Sequence, residues 1–194
     1  MPVCEEYHVP IINSRGWSDL NLRAGLMRRF KEHEEKGRRA VLLLCGDHDP
    51  VGLQICDRFR HLLDELAGAV GWSTKSLEIE RFGLSCEFIE ANGLTWIDGL
   101  QTSSGLDLGD PKHKQHRADF VQNYIDTYGK RKVEANALVV RADAGRQLCR
   151  SAIEKYLDMG AIADYRRALA RHRQIVRAAL PDAVHQVLVT LQRP

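Results

Sequence analysis

The stretch that decides the fold is Val41-Leu42-Leu43-Leu44-Cys45-Gly46-Asp47-His48-Asp49-Pro50-Val51-Gly52. An apolar run of strand length gives way to two aspartates in alternate positions, then to Pro50 and Gly52, and then to a helical pattern. This order predicts a buried parallel strand that carries two acids at its carboxyl end. Ligand sites in open α/β sheets lie just beyond the carboxyl ends of the strands, so we expect a functional site here.

The two aspartates are suited to binding a metal ion. Asp47 and Asp49 are alternate residues of extended backbone, so their oxygens can point the same way and share a hard divalent cation such as Mg²⁺, or Mn²⁺ in its place. His48 then points away, and we expect it to have at most a supporting role. The alternative is an ordinary strand-to-helix turn, in which Asp49 caps the helix and Asp47 is solvated. Pro50 and Gly52 favour the metal site.

Three segments resemble one protein family. The string from Gly46 to Gly52 resembles the acidic motif of Toprim domains, in the D-x-D-P-x-G form of type IIB DNA topoisomerase A subunits and of their relative, the meiotic double-strand-break protein. Glu5–Pro10 followed by Arg15–Ser18 resembles the E-Y-G-V-P … R-G-x-x-S segment of that family. Val133–Leu138 resembles its x-E-x-D/N-A-L strand. The resemblance covers about residues 4–158, and the combination is more specific than any one segment.

The resemblance implies a fold and a chemistry. The expected fold is a three-layer α/β Toprim-like (Rossmann-like) parallel sheet flanked by helices over residues 1–158, with a C-terminal helical extension over residues 159–194. In the family, the acidic cluster binds magnesium, which organises the scissile phosphate during DNA strand cleavage. Asp47 and Asp49 would be the metal ligands by this resemblance. The tight turn beside them would be formed by Gly46, Pro50 and Gly52.

Two parts of the family pattern are expected to be missing. The catalytic Glu of the family stands on a strand that should precede Cys4, and Glu134 is the best substitute by its position in the sheet. The winged-helix domain with its nucleophilic tyrosine also has no counterpart. We therefore expect a truncated or stand-alone Toprim domain that is slow or inactive alone. Two hypotheses remain open: a Mg²⁺-dependent DNA-processing domain of topoisomerase or nuclease type, and a catalytically inactive binding or assembly module of a mobile-element or defence system.

The periodicity of the remaining chain predicts a mixed succession of elements. Besides the central strand, the predicted strands are Val9–Asn13, Leu77–Phe82 and Val133–Ala135. The predicted helices run from a Ser18 cap to Gly37, from the acidic turn to Leu66, from Ser85 to Asn92, over Phe120–Tyr128, over Asp143–Leu157, and through an arginine-rich tail that Pro181 ends.

Composition limits the class of protein. The 194 residues, 44% of them hydrophobic, are enough for one sizeable core. No run of about 18 apolar residues and no basic-then-apolar leader occurs, so we expect a soluble cytoplasmic protein without a membrane partner. The five cysteines have no C-x-x-C spacing and are expected to be reduced small hydrophobes that form neither a zinc site nor a disulfide framework.

Two basic segments are candidates for DNA contact. A net charge of +2 is too small to indicate nucleic-acid binding, so any DNA contact must come from local clusters. One cluster is a loop that could bind phosphates or be merely solvated, and the other is an arginine face of the tail helix with the same two interpretations. The candidate DNA-binding residues are Lys112, Lys114, Arg117, Arg166, Arg171, Arg173 and Arg177. DNA is the expected partner, with a partner subunit or a homodimer as a further possibility.

Overall fold

The chain forms two compact units. The computed structural model describes residues 2–12, 19–102 and 104–191, with residues 182–191 described by their backbone alone. The units are Met1–Ile153 and Glu154–Pro194, whereas the sequence placed the boundary after residue 158. Their formal charges are −1 and +3, because the second unit carries seven Lys and Arg against four Asp and Glu. Among the described helices, none has the length and apolarity that a membrane crossing requires.

Helices alternate with short strands in the first unit. Its strands are β1 (Val41–Gly46), β2 (Glu78–Gly83), β3 (Ile97–Asp98) and β4 (Arg131–Lys132). Its α-helices are α1 (Pro2–Glu6), α2 (Leu20–Glu35), α3 (Pro50–Leu53), α4 (Ile55–Asp64), α5 (Ala67–Val70), α6 (Cys86–Ala91), α7 (Asp119–Tyr128) and α8 (Ala142–Glu154). Two 3₁₀ helices lie at Thr74–Ser76 and Ala135–Val139. The second unit contains α9 (Met159–Leu191).

A small parallel sheet lies at the centre of the first unit. β1 and β2 pair in parallel, from Val41 opposite Glu78 to Gly46 opposite Gly83. Apolar side chains of both strands pack against α2 and α4, in a cluster that includes Met27, Leu63, Leu42, Leu44 and Ile79. The predicted α/β class and the central strand are therefore confirmed. The second pair of strands, β3 and β4, is antiparallel.

Two predicted strands are wrong. The part of Val9–Asn13 that is described, residues 9–12, has no regular structure, and Asn13 lies outside the described residues. Val133–Ala135 does not join the parallel sheet. Val133 forms an isolated antiparallel bridge with His48, and Ala135 begins a 3₁₀ helix. His48 lies beyond the end of β1. The segment that contains Val133 therefore pairs with the chain beyond the parallel sheet and does not form a strand of that sheet.

The ends of two helices differ from their sequence signals. Asp19 caps α2 by accepting hydrogen bonds from Asn21 N at 2.9 Å and Leu22 N at 3.0 Å. The predicted cap Ser18, with the rest of the Arg15–Ser18 motif, lies outside the described residues. Pro181 was expected to end the tail helix, yet α9 continues through it to Leu191. An internal proline removes one backbone hydrogen bond, and the turns on either side of it can still form.

Candidate functional site

The acidic turn, residues 46–52, follows β1 directly. Asp47 and Asp49 are half-buried, whereas His48 between them is 1% exposed, so the side chains alternate between a solvent side and an interior side. Asp49 has an extended backbone and is the N-cap of α3, where its Oδ1 accepts a hydrogen bond from Gly52 N at 2.5 Å. Pro50 occupies the first helical position, where its missing N–H costs nothing. Asp49 therefore caps the helix, as expected for an ordinary strand-to-helix turn.

Asp47 connects the turn to a distant part of the chain. Its Oδ1 accepts a hydrogen bond from Ala135 N at 2.6 Å, across 88 residues of sequence. Asp47 is therefore not merely solvated. Among the described residues, no lysine or arginine nitrogen lies within ion-pair distance of either aspartate. The two carboxylates thus share a site in which backbone amides supply the hydrogen bonds.

The two carboxylates repel each other. Burial raises the pKa of Asp49, and the negative charge of Asp47 raises it further. The hydrogen bond from the Gly52 amide and the positive charge of Lys132 lower the pKa of Asp49. A cation between two such carboxylates would remove the repulsion, which is the electrostatic condition for a divalent metal site.

Glycines are required where backbone segments meet at the turn. A Cβ at position 52 would lie 2.2 Å from the carbonyl oxygen of Asp47, a distance that no side chain can occupy. Gly83, opposite Gly46 at the end of β2, has φ +129°, and a Cβ on Gly83 would lie 3.0 Å from Gly46 O. Of the two glycines predicted to form the tight turn, Gly52 therefore lies at a close backbone approach, whereas a Cβ on Gly46 would make only ordinary contacts, at 3.5 Å or more.

Arg81 enters the turn from β2. Its Nε donates to Gly52 O at 3.1 Å, and its Nη2 donates to Asp47 O and to Leu84 O, both at 2.9 Å. Burial lowers the pKa of Arg81, while the nearby carboxylates act to raise it. Sequence reasoning missed this residue. The available signal was a basic side chain at the apolar carboxyl end of a strand, beside Phe82 and Gly83.

His48 belongs to a buried aromatic group on the interior side of the turn. Its backbone exchanges two hydrogen bonds with Val133, at 2.8 and 3.1 Å. The Tyr124 hydroxyl lies 2.8 Å from His48 O, 2.9 Å from Arg131 O and 3.0 Å from His48 Nδ1. The imidazole also contacts the edges of the Trp96 and Tyr128 rings. Burial lowers the pKa of His48, so a neutral imidazole with a structural role fits this environment.

Glu134, the candidate substitute for the missing acid, forms hydrogen bonds with its sequence neighbours Lys132 and Asn136. Its Oε1 accepts from Lys132 Nζ at 2.7 Å, and its Oε2 accepts from Asn136 Nδ2 at 3.0 Å. The hydrogen bond from Lys132 lowers the pKa of Glu134. Within the described ranges, no three His, Cys, Asp or Glu side chains are grouped so that they could surround a metal ion. The structure brings Asp47 and Asp49 together, and Glu134 does not complete a set of three with them.

The candidate DNA-binding side chains lie in both units. In the first unit, Lys112, Lys114 and Arg117 are exposed on a loop of consecutive turns. Local hydrogen bonds order this loop, including Lys112 N to Asp110 Oδ1 at 2.9 Å and the His116 ring to Leu108 O at 2.9 Å. In the second unit, the candidate residues Arg166, Arg171, Arg173 and Arg177 are all exposed on α9. The adjacent Arg167 forms an ion pair with Asp164.

Comparison with models of protein families, with curated proteins and with solved structures finds no match to this chain.

Proposed function

We propose that this chain is a magnesium-binding Toprim-like domain that acts in DNA strand cleavage or DNA topology. The observation that carries the proposal is the pairing of Asp47 and Asp49 at the carboxyl end of a parallel strand, half-buried and mutually repulsive. On this proposal, the two-stranded parallel sheet is the centre of a three-layer Rossmann-like arrangement. The D-x-D-P-x-G resemblance supplies the chemical class.

The donor set of the turn fits Mg²⁺, with Mn²⁺ as its usual substitute. Both side chains offer carboxylate oxygens, which are the ligands that these hard cations prefer. Two carboxylates form an incomplete cage, so we expect weak binding, in about the high-micromolar to millimolar range. The same site is a poor one for zinc, because the nearby His48 ring is buried on the opposite side of the turn.

Each residue of the turn would have a defined part in the reaction. When bound, Mg²⁺ would neutralise phosphate charge and stabilise the oxygens exchanged in an in-line displacement. Asp47 and Asp49 would bind the metal, and their hydrogen bonds to Ala135 N and Gly52 N would fix their orientation. Without a third acid to transfer a proton, the rate would be lower by about 10²- to 10⁴-fold. The domain would therefore depend on a Glu from an upstream strand or from a partner subunit.

DNA contact would come from local basic segments, because the first unit carries a formal charge of −1. The exposed lysines and arginine of the loop at residues 112–117 and the exposed arginines of α9 can meet phosphates in a sequence-independent manner. The charge of +3 on the second unit makes α9 the stronger electrostatic contact of the two.

The test measures metal binding and DNA nicking together. Mn²⁺ binding, followed by water-proton relaxation, should be weak in the wild type and lost in Asp47→Asn. Asp126→Asn, an exposed aspartate on α7, is the matched control and should bind Mn²⁺ as the wild type does. Equal binding by all three proteins would refute the metal assignment.

Nicking of supercoiled plasmid then separates an active domain from an inactive one. We expect very slow Mg²⁺-dependent nicking by the chain alone and faster nicking when a strand bearing Glu is added upstream or supplied by a partner. Rapid nicking that survives Glu134→Gln would contradict the argument, because the site would then work without either acid.

A second candidate function is a catalytically inactive Toprim-fold module for binding or assembly. The observation that favours it is the engagement of Glu134 by Lys132 and Asn136, so that no third carboxylate of the described residues joins Asp47 and Asp49 at the turn. Such a module would show no nicking under any metal condition, with or without an added upstream Glu. Under this interpretation, DNA binding through the basic segments would persist.

A further inference from the structure

Arg81 makes an unusual set of contacts for a half-buried arginine. Its guanidinium donates three hydrogen bonds to backbone carbonyls, and two of these acceptors, Asp47 O and Gly52 O, lie in the acidic turn. Among the described residues, no carboxylate lies within ion-pair distance of it. The guanidinium of Arg81 therefore binds the backbone of the turn that carries the two aspartates.

These contacts restrict the turn at both ends. Asp47 comes before Asp49 in the sequence, and Gly52, which lies within α3, comes after it. The two carbonyl acceptors therefore lie on either side of Asp49 along the chain. The Nε atom also lies 3.5 Å from the place of a Cβ on Gly46, which leaves the guanidinium directly against the backbone there. A planar fork of fixed N–H directions can join these carbonyls, whereas the single ammonium of lysine cannot reproduce the same geometry.

We propose that Arg81 is a positioning residue for the metal-binding carboxylates, because its guanidinium fixes the separation of the two carbonyls between which Asp49 lies. This inference rests on the proposed metal-binding function. Arg81 would not touch the metal or the substrate, and it would act through the backbone of the turn.

The chain offers a matched control for this idea. Arg60 on α4 also donates to two backbone carbonyls, to Thr74 O from Nη1 at 2.8 Å and to Leu77 O from Nη2 at 2.9 Å. It is half-buried like Arg81, but its acceptors lie outside the acidic turn. Arg60→Lys and Arg81→Lys therefore both keep the positive charge and both lose a planar fork.

The experiment compares the two variants in the full chain. Mn²⁺ affinity, measured by water-proton relaxation, should fall by about tenfold or more in Arg81→Lys, as is usual when an outer-shell partner of a metal ligand is lost. The affinity of Arg60→Lys should equal that of the wild type. With no metal present, hydrogen exchange of the backbone amides in residues 49–53, of which Pro50 has none, should be faster in Arg81→Lys and unchanged in Arg60→Lys.

The outcomes distinguish this inference from the proposed function. Equal exchange rates at residues 49–53 in the two variants would overturn the inference. Equal loss of Mn²⁺ affinity in both would also overturn it, because a general loss of stability would then be the cause. If the wild type binds no Mn²⁺, the proposed function fails, and the exchange measurement still decides whether Arg81 orders the turn.

Discussion

Replacing Gly52 by alanine tests the geometry of the acidic turn most directly. The new Cβ would lie 2.2 Å from Asp47 O, 3.0 Å from the Asp47 carbonyl carbon and 3.1 Å from Asp49 Oδ1. Ordinary contact requires about 3.5 Å, so the carbonyl of Asp47 must move by about 1 Å or more. That movement separates the capping atom Asp49 Oδ1 from its donor, Gly52 N, and the Arg81 guanidinium from the backbone of the turn.

The expected cost follows from the contacts that are lost. An N-cap hydrogen bond contributes about 1 kcal/mol, and a hydrogen bond from a charged group contributes about 1.5–3 kcal/mol. The helix preference of alanine over glycine offsets about 0.5–1 kcal/mol of this loss. We therefore expect Gly52→Ala to lower the free energy of unfolding by about 2–3 kcal/mol and to abolish Mn²⁺ binding.

Urea unfolding followed by tryptophan fluorescence is a suitable assay, because all three tryptophans, at positions 17, 72 and 96, belong to the first unit. Gly25→Ala in α2 is the control, since a Cβ there meets no atom within 4 Å. It should be neutral or stabilising by up to about 1 kcal/mol. A Gly52→Ala protein as stable as Gly25→Ala, with wild-type Mn²⁺ affinity, would refute the reasoning.

Two further predictions concern charge. Asp49→Asn should become more stable relative to the wild type as the pH rises above 3.8, because the raised pKa of Asp49 means that its ionised form destabilises the folded state. Below pH 3.8 the Asp49 carboxyl is protonated in both the folded and the unfolded state, so this pH-dependent difference should vanish. Urea titrations without metal at several pH values would measure it, and a difference that does not change with pH would show that ionised Asp49 carries no such penalty. Arg173→Gln should reduce the slope of log affinity for DNA against log salt by about one unit, whereas Arg167→Gln, which removes the partner of Asp164, should change it less. Equal slopes in the wild type and Arg173→Gln would place Arg173 outside the DNA contact.

Local signals in the sequence were sufficient for the central element of the fold. The apolar run before two acids, a proline and a glycine predicted β1, the turn and a following helix, and all three are present, although the helix is interrupted at Gln54 between α3 and α4. A helix was predicted to begin at Ser85, and the Ser85 hydroxyl is the cap of α6, where it accepts from Phe88 N at 3.1 Å. These features depend on hydrogen bonds within about four residues, which residue order alone can specify.

Tertiary contacts decided what surrounds the two aspartates. Arg81 reaches Asp47 across 34 residues, Tyr124 reaches His48 across 76, and Ala135 reaches Asp47 across 88. The direction of the Val133 segment follows from the same packing. None of these contacts has a local sequence signal, because each depends on where two separate segments meet in space. The sequence therefore determined which carboxylates lie at the end of β1. Only the folded chain decided that an arginine and backbone amides accompany them and that, in the part of the chain that the structure describes, no third acid does.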